Sequence, residues 1–253
     1  NHNVLDVEKY GHVILHKIDT LDIKEGMIVH GKIDANRRRI LTSHHTATHV
    51  VLGAAKRALG SWIWQASAFK DIHKARLDIT HFEHLSLKQI ETIEKLANSA
   101  IRKNLPVHKL VLDRGEAEKK YGFSIYQGGI APGKSIRVQD IEGWDVEACA
   151  GTHVLNTGEI GLIKIIKNER VQDGVERLEY VAGETALDYI QQQNALNLLK
   201  HFDKNDDFKL EINKTIYNIS KNEITFSFSA QNNFVLSEKS GFIVALTKER
   251  DSN

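Results

Sequence analysis

The chain has 253 residues, 41% of them hydrophobic and 26% charged, which suits one large globular domain or two modest ones and argues against an unfolded segment. Its 34 basic and 33 acidic residues leave a formal net charge of +1, so no overall field draws it to nucleic acid or membrane, and any such contact must be local. No run reaches the roughly 18 apolar residues that span a bilayer, and the first residues lack a basic-then-apolar signal pattern; a soluble, cytoplasmic protein is expected.

Residues 4–34 read as short β segments, Val13-Ile14-Leu15 and Met27-Ile28-Val29, separated by Asp, Lys and Gly turn residues. This predicts a partial β module over 1–41. At Ser43 the pattern changes. Ala47, Val50, Val51, Ala54, Ala55 and Ala58 recur at helical spacing until Gly60, so a helix is expected that carries a His-rich sequence at its start. A strand at 75–79 follows, then a helix in which Ser86 and Gln89 make a capping box and Ile90, Ile93, Ala97 and Ile101 form the apolar stripe, with Pro106 marking its end. Strands are predicted at 107–112, 135–141, 161–166 and 176–181, and a short charged helix at 115–121. The fold class is α/β in the α+β sense, helices packed on a mostly antiparallel sheet. A helix from 184 to about 202 precedes a tail rich in Asn, Lys, Ser and Phe, where Ile224-Thr225-Phe226-Ser227-Phe228 alternates weakly. The domain organisation predicted is 1–41, 42–183 and 184–253, the last a helix with a small β-rich appendage.

The chemistry concentrates in two short motifs about a hundred residues apart, Ser43-His44-His45-Thr46-Ala47-Thr48-His49 and Glu147-Ala148-Cys149-Ala150-Gly151-Thr152-His153. Each contains a ligand-x3-ligand spacing. Side chains at i and i+4 of a helix lie one turn apart on one face, so His45 and His49 can address one ion. Cys149 and His153 repeat the spacing, and imidazole with thiolate is a donor set that suits tetrahedral Zn²⁺. A lone His-x3-His is more often a solvated face and a lone cysteine more often a core residue. It is the pairing of the two motifs that favours a metal. A closed set of four protein ligands is also what a structural zinc shows, so that alternative stays open at this level. The only cysteine, Cys149, cannot form an internal disulfide. His44 is read as a group behind the ligands or on the surface rather than as a fifth ligand.

These residues resemble a known family. His45-Thr46-Ala47-Thr48-His49, Trp64-Gln65-Ala66-Ser67, Arg76-Leu77-Asp78 and Cys149-Ala150-Gly151-Thr152-His153 followed by Thr157-Gly158-Glu159-Ile160-Gly161 are similar to the editing domain of alanyl-tRNA synthetases and their free-standing relatives. Lys120-Tyr121-Gly122-Phe123 through Tyr126-Gln127-Gly128-Gly129, and Gln172-Asp173-Gly174-Val175-Glu176-Arg177, resemble the archaeal form in particular. The likeness runs in order from residue 34 to 187.

It implies a fold shared with the editing domain of threonyl-tRNA synthetase and hydrolysis of Ser-tRNA(Ala) and Gly-tRNA(Ala), the partner being the acceptor end of tRNA(Ala). It makes His45, His49, Cys149 and His153 the zinc ligands, and Thr48 and Gln65 the residues lining the aminoacyl pocket. Ala150 departs from a position where the family usually has glycine, and Ala68 from one where bacterial relatives often have serine. Candidate phosphate contacts are Arg37, Arg38 and Arg39, Lys56 and Arg57, and Lys119 and Lys120, since Lys and Arg supply the salt-dependent backbone attraction. No aminoacylation core resembling a class II synthetase is present. The chain is expected to be either a piece of a synthetase, as its lone methionine at position 27 also suggests, or a free-standing editing protein. The competing reading is a non-catalytic tRNA-binding module with a structural zinc.

Overall fold

The computed structural model describes residues 2–11, 13–20 and 22–199, and beyond them the strand segments 208–212, 215–219, 223–228, 232–237 and 247–248, with side-chain surroundings given through residue 194. The chain forms two compact units, Asn1–Ala35 and Asn36–Asn253.

In the first unit β1 (Val4–Tyr10) and β2 (Val13–Ile18) pair antiparallel. Val4, Leu5, Val7, Val13, Ile14 and Leu15 are all exposed, as expected of two strands with no further layer to cover them. The strand expected at Met27-Ile28-Val29 is not formed. Residues 27–34 are without regular structure, no strand among the described residues is paired with them, and Ile28 is 89% exposed. β-Branched residues make a strand only where a neighbouring strand and a packing surface receive them.

The second unit opens with α1 (Ala35–Leu59), which starts well before Ser43, so the His-rich sequence lies in mid-helix rather than at a helix start. Its first turns, Asn36-Arg37-Arg38-Arg39, have good helix formers but no apolar periodicity to betray them. From Val50 to Ala55 every residue is buried, the mark of a helix packed from more than one side. There follow β3 (Gln65–Lys70), β4 (Ala75–Thr80), α2 (Leu87–Arg102), β5 (Val107–Asp113), α3 (Arg114–Tyr121), β6 (Ser135–Ile141), β7 (Asp145–Ala148), β8 (Ile163–Gln172), β9 (Val175–Ala182) and α4 (Glu184–Leu199).

Two antiparallel sheets result, in the orders β3-β4-β9-β8 and β5-β6-β7. The mixed α/β class with antiparallel sheets is therefore as the pattern implied. β3 and β7 have no counterpart among the predicted strands, being short and largely polar. β8 starts later and runs further than the 161–166 segment. The capping box on α2 forms as read, with Ser86 Oγ accepting from the Gln89 amide at 3.3 Å and Gln89 Oε1 accepting from the Ser86 amide at 2.9 Å. α2 stops at Arg102, short of Pro106, and Asn104 then takes a left-handed φ of 51°, which asparagine tolerates.

α1 bonds to both sheets. Thr48 meets Tyr180 of β9 on one side, and on the other Trp144, beside β7, donates its indole N–H to the Val50 carbonyl at 3.0 Å. Gly53 permits that approach, since a Cβ there would stand 2.6 Å from Trp144 Nε1. Val50, Val51, Leu52, Leu77, Ile93, Leu178 and Tyr180 are wholly buried in the main core. At roughly 1.5–3 kcal/mol for each large apolar side chain, this packing fixes α1, and with it the two histidines it carries. Ala117, Ile125, Tyr126, Ile136 and Val138 make a smaller core under α3.

After α4, five strands, β10 (Phe208–Ile212), β11 (Thr215–Ile219), β12 (Glu223–Phe228), β13 (Asn232–Ser237) and β14 (Thr247–Lys248), form an antiparallel meander in sequence order. The alternating segment at 224–228 falls in β12, and the predicted end of α4 near residue 202 lies outside the described residues. Among the described residues no helix is long and apolar enough to cross a membrane.

Candidate metal centre

His45 and His49 project from one face of α1, while Cys149 and His153 come from the loop that follows β7. Fold topology closes the hundred-residue gap, because β7 packs along α1. One ligand atom from each of the four lies within 4.8 Å of the others. His45 Nε2 is 3.3 Å and His153 Nε2 is 3.4 Å from Cys149 Sγ, and the His45 and His153 ring centroids are 4.3 Å apart. The set is a His/Cys group able to hold a metal ion.

The loop supplying Cys149 and His153 is pinned from three sides. The Cys149 amide donates to the Arg137 carbonyl at 3.0 Å, and the Arg137 guanidinium returns bonds to the Cys149 carbonyl at 3.0 Å and the Gly151 carbonyl at 2.5 Å. Thr46 Oγ1 accepts from the Val154 amide at 3.1 Å and stands 3.3 Å from His153 Nδ1. Gly151 lies against His45, and a Cβ there would fall 1.7 Å from the imidazole Cε1. Ala150, by contrast, is exposed.

Behind His49 stand two buried carboxylates. Its Nδ1 is 3.3 Å from Glu147 Oε2 and 3.5 Å from Asp145 Oδ2, close enough for charge pairing but without hydrogen-bond geometry. His49 Nδ1, Asp145 Oδ2 and Glu147 Oε1 are all buried with no hydrogen-bond partner. Burial alone would discharge His49, but Glu147, Asp145 and Cys149 lift its pKa to about 10. Burial also raises Asp145, yet His49 and Lys56 hold it below the usual range. Glu147 goes up to about 8 through burial and the neighbouring Asp145 charge. Burial would raise the Cys149 thiol, and three imidazoles bring it down instead to about 2. Burial pushes His153 down to about 4 and lowers His45. Excess proton charge thus collects on His49, against a thiolate and two carboxyls. A divalent cation on the four ligands would fit this arrangement, since a neutral His49 could then keep an Nδ1–H for the carboxylate oxygens of Asp145 and Glu147 that lack a donor.

The other predicted residues fall differently. Thr48 is 2% exposed, and its hydroxyl donates to the His44 carbonyl at 3.0 Å and accepts from Tyr180 at 2.7 Å. It faces the β9 sheet. Gln65 opens strand β3. Its amide donates to Gln127 Oε1 at 2.8 Å, its carbonyl accepts from the Gly128 amide at 3.2 Å, and its side chain lies against Gly128 without a hydrogen bond among the described residues.

His44 is not on the surface, and it is not one of the four grouped ligands. It is fully buried, with Nδ1 bonded to the Asp71 carbonyl at 2.7 Å, and burial lowers its pKa; a neutral ring donating to a carbonyl follows. Lys56 and Arg57 have partners of their own. Lys56 Nζ is 2.9 Å from Asp145 Oδ1, and Arg57 donates to the Gly53, Trp144 and Gly143 carbonyls while its guanidinium lies 3.9 Å from the Trp144 ring centroid. Both are committed to holding α1 against β7, which removes them from the phosphate-contact candidates. Arg37, Arg38, Lys119 and Lys120 are exposed, Lys120 lying 4.7 Å from the Tyr121 ring centroid, and Arg39 pairs with Glu184 at 2.6 Å.

Asp145, Glu147, Arg137 and Thr46 were not identified from sequence. Asp145-x-Glu147 in a strand places both side chains on one face immediately before Cys149, a signal that needed β7 to be recognised. Arg137 carried none.

Residues 136–179, spanning nearly all of β6 to β9 with half of the ligand group, match the family described as the threonyl and alanyl tRNA synthetase second additional domain. Fold and site thus define an editing-domain-like protein. The chain is 52% identical to an alanine-tRNA ligase of Methanopyrus kandleri over 76% of its own length and 21% of that protein's. It is 52% identical to that of Nitrosopumilus maritimus, over 75% and 21%, and 51% identical to that of Methanobrevibacter smithii, over 77% and 22%. Over about three quarters of its length the chain is similar to these archaeal alanine-tRNA ligases, and it spans about a fifth of the length of the curated relatives it matches.

Proposed function

We propose that residues 42–183 are a zinc-dependent deacylase acting on Ser-tRNA(Ala) and Gly-tRNA(Ala) in the cytoplasm, either as the editing portion of an alanyl-tRNA synthetase or as a free-standing protein. Residues 1–41 and 184–253 flank it as a partial β module and a C-terminal appendage. The observation that carries the reading is the exposure of the ligand group: His45, Cys149 and His153 are only partly buried, with His49 alone sealed. Substrate can therefore reach the ligands.

In the reaction a water oxygen bonds to the ester carbonyl carbon, the bond to the ribose oxygen breaks, and that oxygen leaves with a proton. Zn²⁺ held by His45, His49, Cys149 and His153 would supply Lewis acidity to this step. The chain's residues do the rest. Asp145 and Glu147 orient His49 through Nδ1, Arg137 fixes the loop of Cys149 and His153, and Gln65 offers a side-chain amide for the seryl hydroxyl. A site that bonds such a hydroxyl rejects an alanyl group that lacks it. Thr48, bonded to Tyr180, acts on this geometry as a positioning residue. Arg37, Arg38, Lys119 and Lys120 are the proposed phosphate contacts.

Four protein ligands are also what a structural zinc site has, and this supports the second reading, a tRNA-binding module without catalysis. Deacylation of Ser-, Gly- and Ala-tRNA(Ala), with and without metal removal, separates them. Hydrolysis of the first two that is lost on chelation while the fold persists supports the deacylase, and unfolding on chelation with no hydrolysis beforehand supports the structural zinc.

A further inference from the structure

Three aromatic rings meet where the chain leaves α1 and where it leaves β4. The Trp62 and Phe82 ring centroids are 5.5 Å apart, those of Trp62 and His81 are 5.4 Å apart, and His81 stacks on Phe82 at 4.9 Å with 11° between the planes. Trp62 is 49% exposed and Phe82 65%, while His81 is buried. The set is held in place. His81 Nδ1 is 2.7 Å from the Glu83 carbonyl oxygen, and the His81 amide donates to the Gly174 carbonyl at 2.9 Å. The Trp62 indole lies so close to Gly60, at a φ of +134°, that a Cβ there would clash with Nε1. Arg170 donates to the Phe82 carbonyl at 3.2 Å and pairs with Asp173 at 3.6 Å, an exposed pair of the weak kind that a phosphate can replace.

The rings are tied to the end of β3 that carries Gln65. Trp62 is three residues before Gln65, so their Cα atoms are within about 11 Å of each other. Between them the Trp64 amide donates to Thr80 Oγ1 and the Trp64 carbonyl accepts from the Thr80 amide, both at 2.9 Å. We propose that Trp62 and Phe82 form a stacking platform for an unpaired base at the acceptor end of tRNA, with Arg170 beside it for a phosphate. This rests on the tRNA-binding part of the functional reading. Rings already fixed by their surroundings lose little freedom when a ligand arrives, and an aromatic face receives a base of any identity. A stacked strand rises about 3.4 Å per nucleotide, so a base on the platform stands no more than about three nucleotides from one whose ester is held at Gln65. A protein partner would bury a broader apolar face than these two rings, which are accompanied by the exposed charges of Glu83, Arg170 and Asp173.

The test uses the full chain and an uncharged acceptor-stem minihelix of tRNA(Ala), with its unpaired 3′ end or cut blunt, carrying 2-aminopurine at each unpaired position in turn. Affinity, 2-aminopurine emission and zinc content are measured for wild type, Trp62→Leu, Trp62→Phe and Phe82→Leu. In wild type at least one unpaired position should be quenched on binding. Trp62→Leu keeps an apolar side chain without a π face; it should abolish that quenching and weaken binding of the tailed stem by on the order of 10- to 100-fold, with zinc content and affinity for the blunt stem unchanged. Phe82→Leu should act in the same direction, and Trp62→Phe should retain most of the affinity. Wild-type affinity in both leucine variants would overturn the proposal and leave the rings to a protein surface. So would a loss shared equally by the blunt stem, or one that tracks zinc content. A wild type that binds neither RNA would overturn the tRNA reading along with this one, whereas a wild type that binds the tailed stem no better than Trp62→Leu does overturns this one alone.

Discussion

The His49 imidazole turns its Nδ1 to Glu147 Oε2 at 3.3 Å, and both side chains are closed off from solvent. A carboxylate behind a metal-ligating histidine fixes the tautomer that leaves Nε2 free for the metal. Glu147→Gln keeps the shape and removes the charge, so zinc affinity should fall about 10–100-fold. Competition against a graded chelator reads this directly. Affinity equal to wild type would mean that Glu147 plays no part in orienting His49.

Removal of a ligand should be more severe. Cys149→Ala is expected to abolish stoichiometric zinc, and elemental analysis of the purified variant beside wild type tests it. Equal metal content in the two, or none in wild type, would sink the four-ligand assignment. The same loop yields a paired control. Gly151→Ala forces a methyl group into the His45 ring, at 1.7 Å in the present geometry, and should displace that ligand and deplete zinc. Ala150→Gly, at an exposed neighbour, should leave zinc content as it is.

Much of this arrangement was legible in the sequence because it rests on local periodicity. The capping box at Ser86 and Gln89, and the strands beginning near Ala75, Val107, Ser135 and Glu176, each carry a pattern within a dozen residues. The spacing of His45, His49, Cys149 and His153 likewise survives in one dimension. What it missed depends on the partner across space. The start of α1 at Ala35 has no apolar stripe, the Met27-Ile28-Val29 segment has no partner strand among the described residues, and Lys56 and Arg57 look like a solvated basic pair until β7 is packed against them. Arg137 bonds to carbonyls, which have no side-chain signature. Thr48 shows the limit most clearly, since a helix position beside a ligand does not say which way the hydroxyl will face.

That orientation is itself testable. Thr48→Val leaves the Tyr180 hydroxyl buried without its 2.7 Å partner and should cost about 1–3 kcal/mol of stability, whereas Tyr180→Phe removes one bond but leaves Thr48 donating to His44, a cost nearer 1 kcal/mol. Urea unfolding of both variants gives the comparison. If Thr48 acts through position, the ratio of Ser- to Gly-tRNA(Ala) hydrolysis should remain that of wild type in Tyr180→Phe. A ratio that shifts in Thr48→Val without any loss of stability would return Thr48 to the pocket wall.

The last expectation separates the basic residues by what holds them. A near-neutral chain can still bind tRNA in a salt-dependent way, because each phosphate neutralised releases counterions whatever the total charge of the protein. Lys119 and Lys120 end α3 in the open, and Arg37 and Arg38 are exposed near the start of α1. Charge reversal at Lys119 or Lys120 should weaken tRNA binding and reduce the slope of log affinity against log salt by about one for each phosphate no longer neutralised. Lys56→Met should behave otherwise. It strips the Asp145 carboxylate, 2% exposed at its side chain, of the ammonium 2.9 Å away, and an uncompensated buried charge is costly. The expected signature is lower stability and weaker zinc binding with the salt slope unchanged. Filter binding across a salt series, run on variants whose folded fraction has been measured by circular dichroism, distinguishes the two classes. A flattened slope for Lys56→Met at full folding would put that residue back on the tRNA face, and unaltered slopes for the Lys119 and Lys120 reversals would move the footprint away from α3.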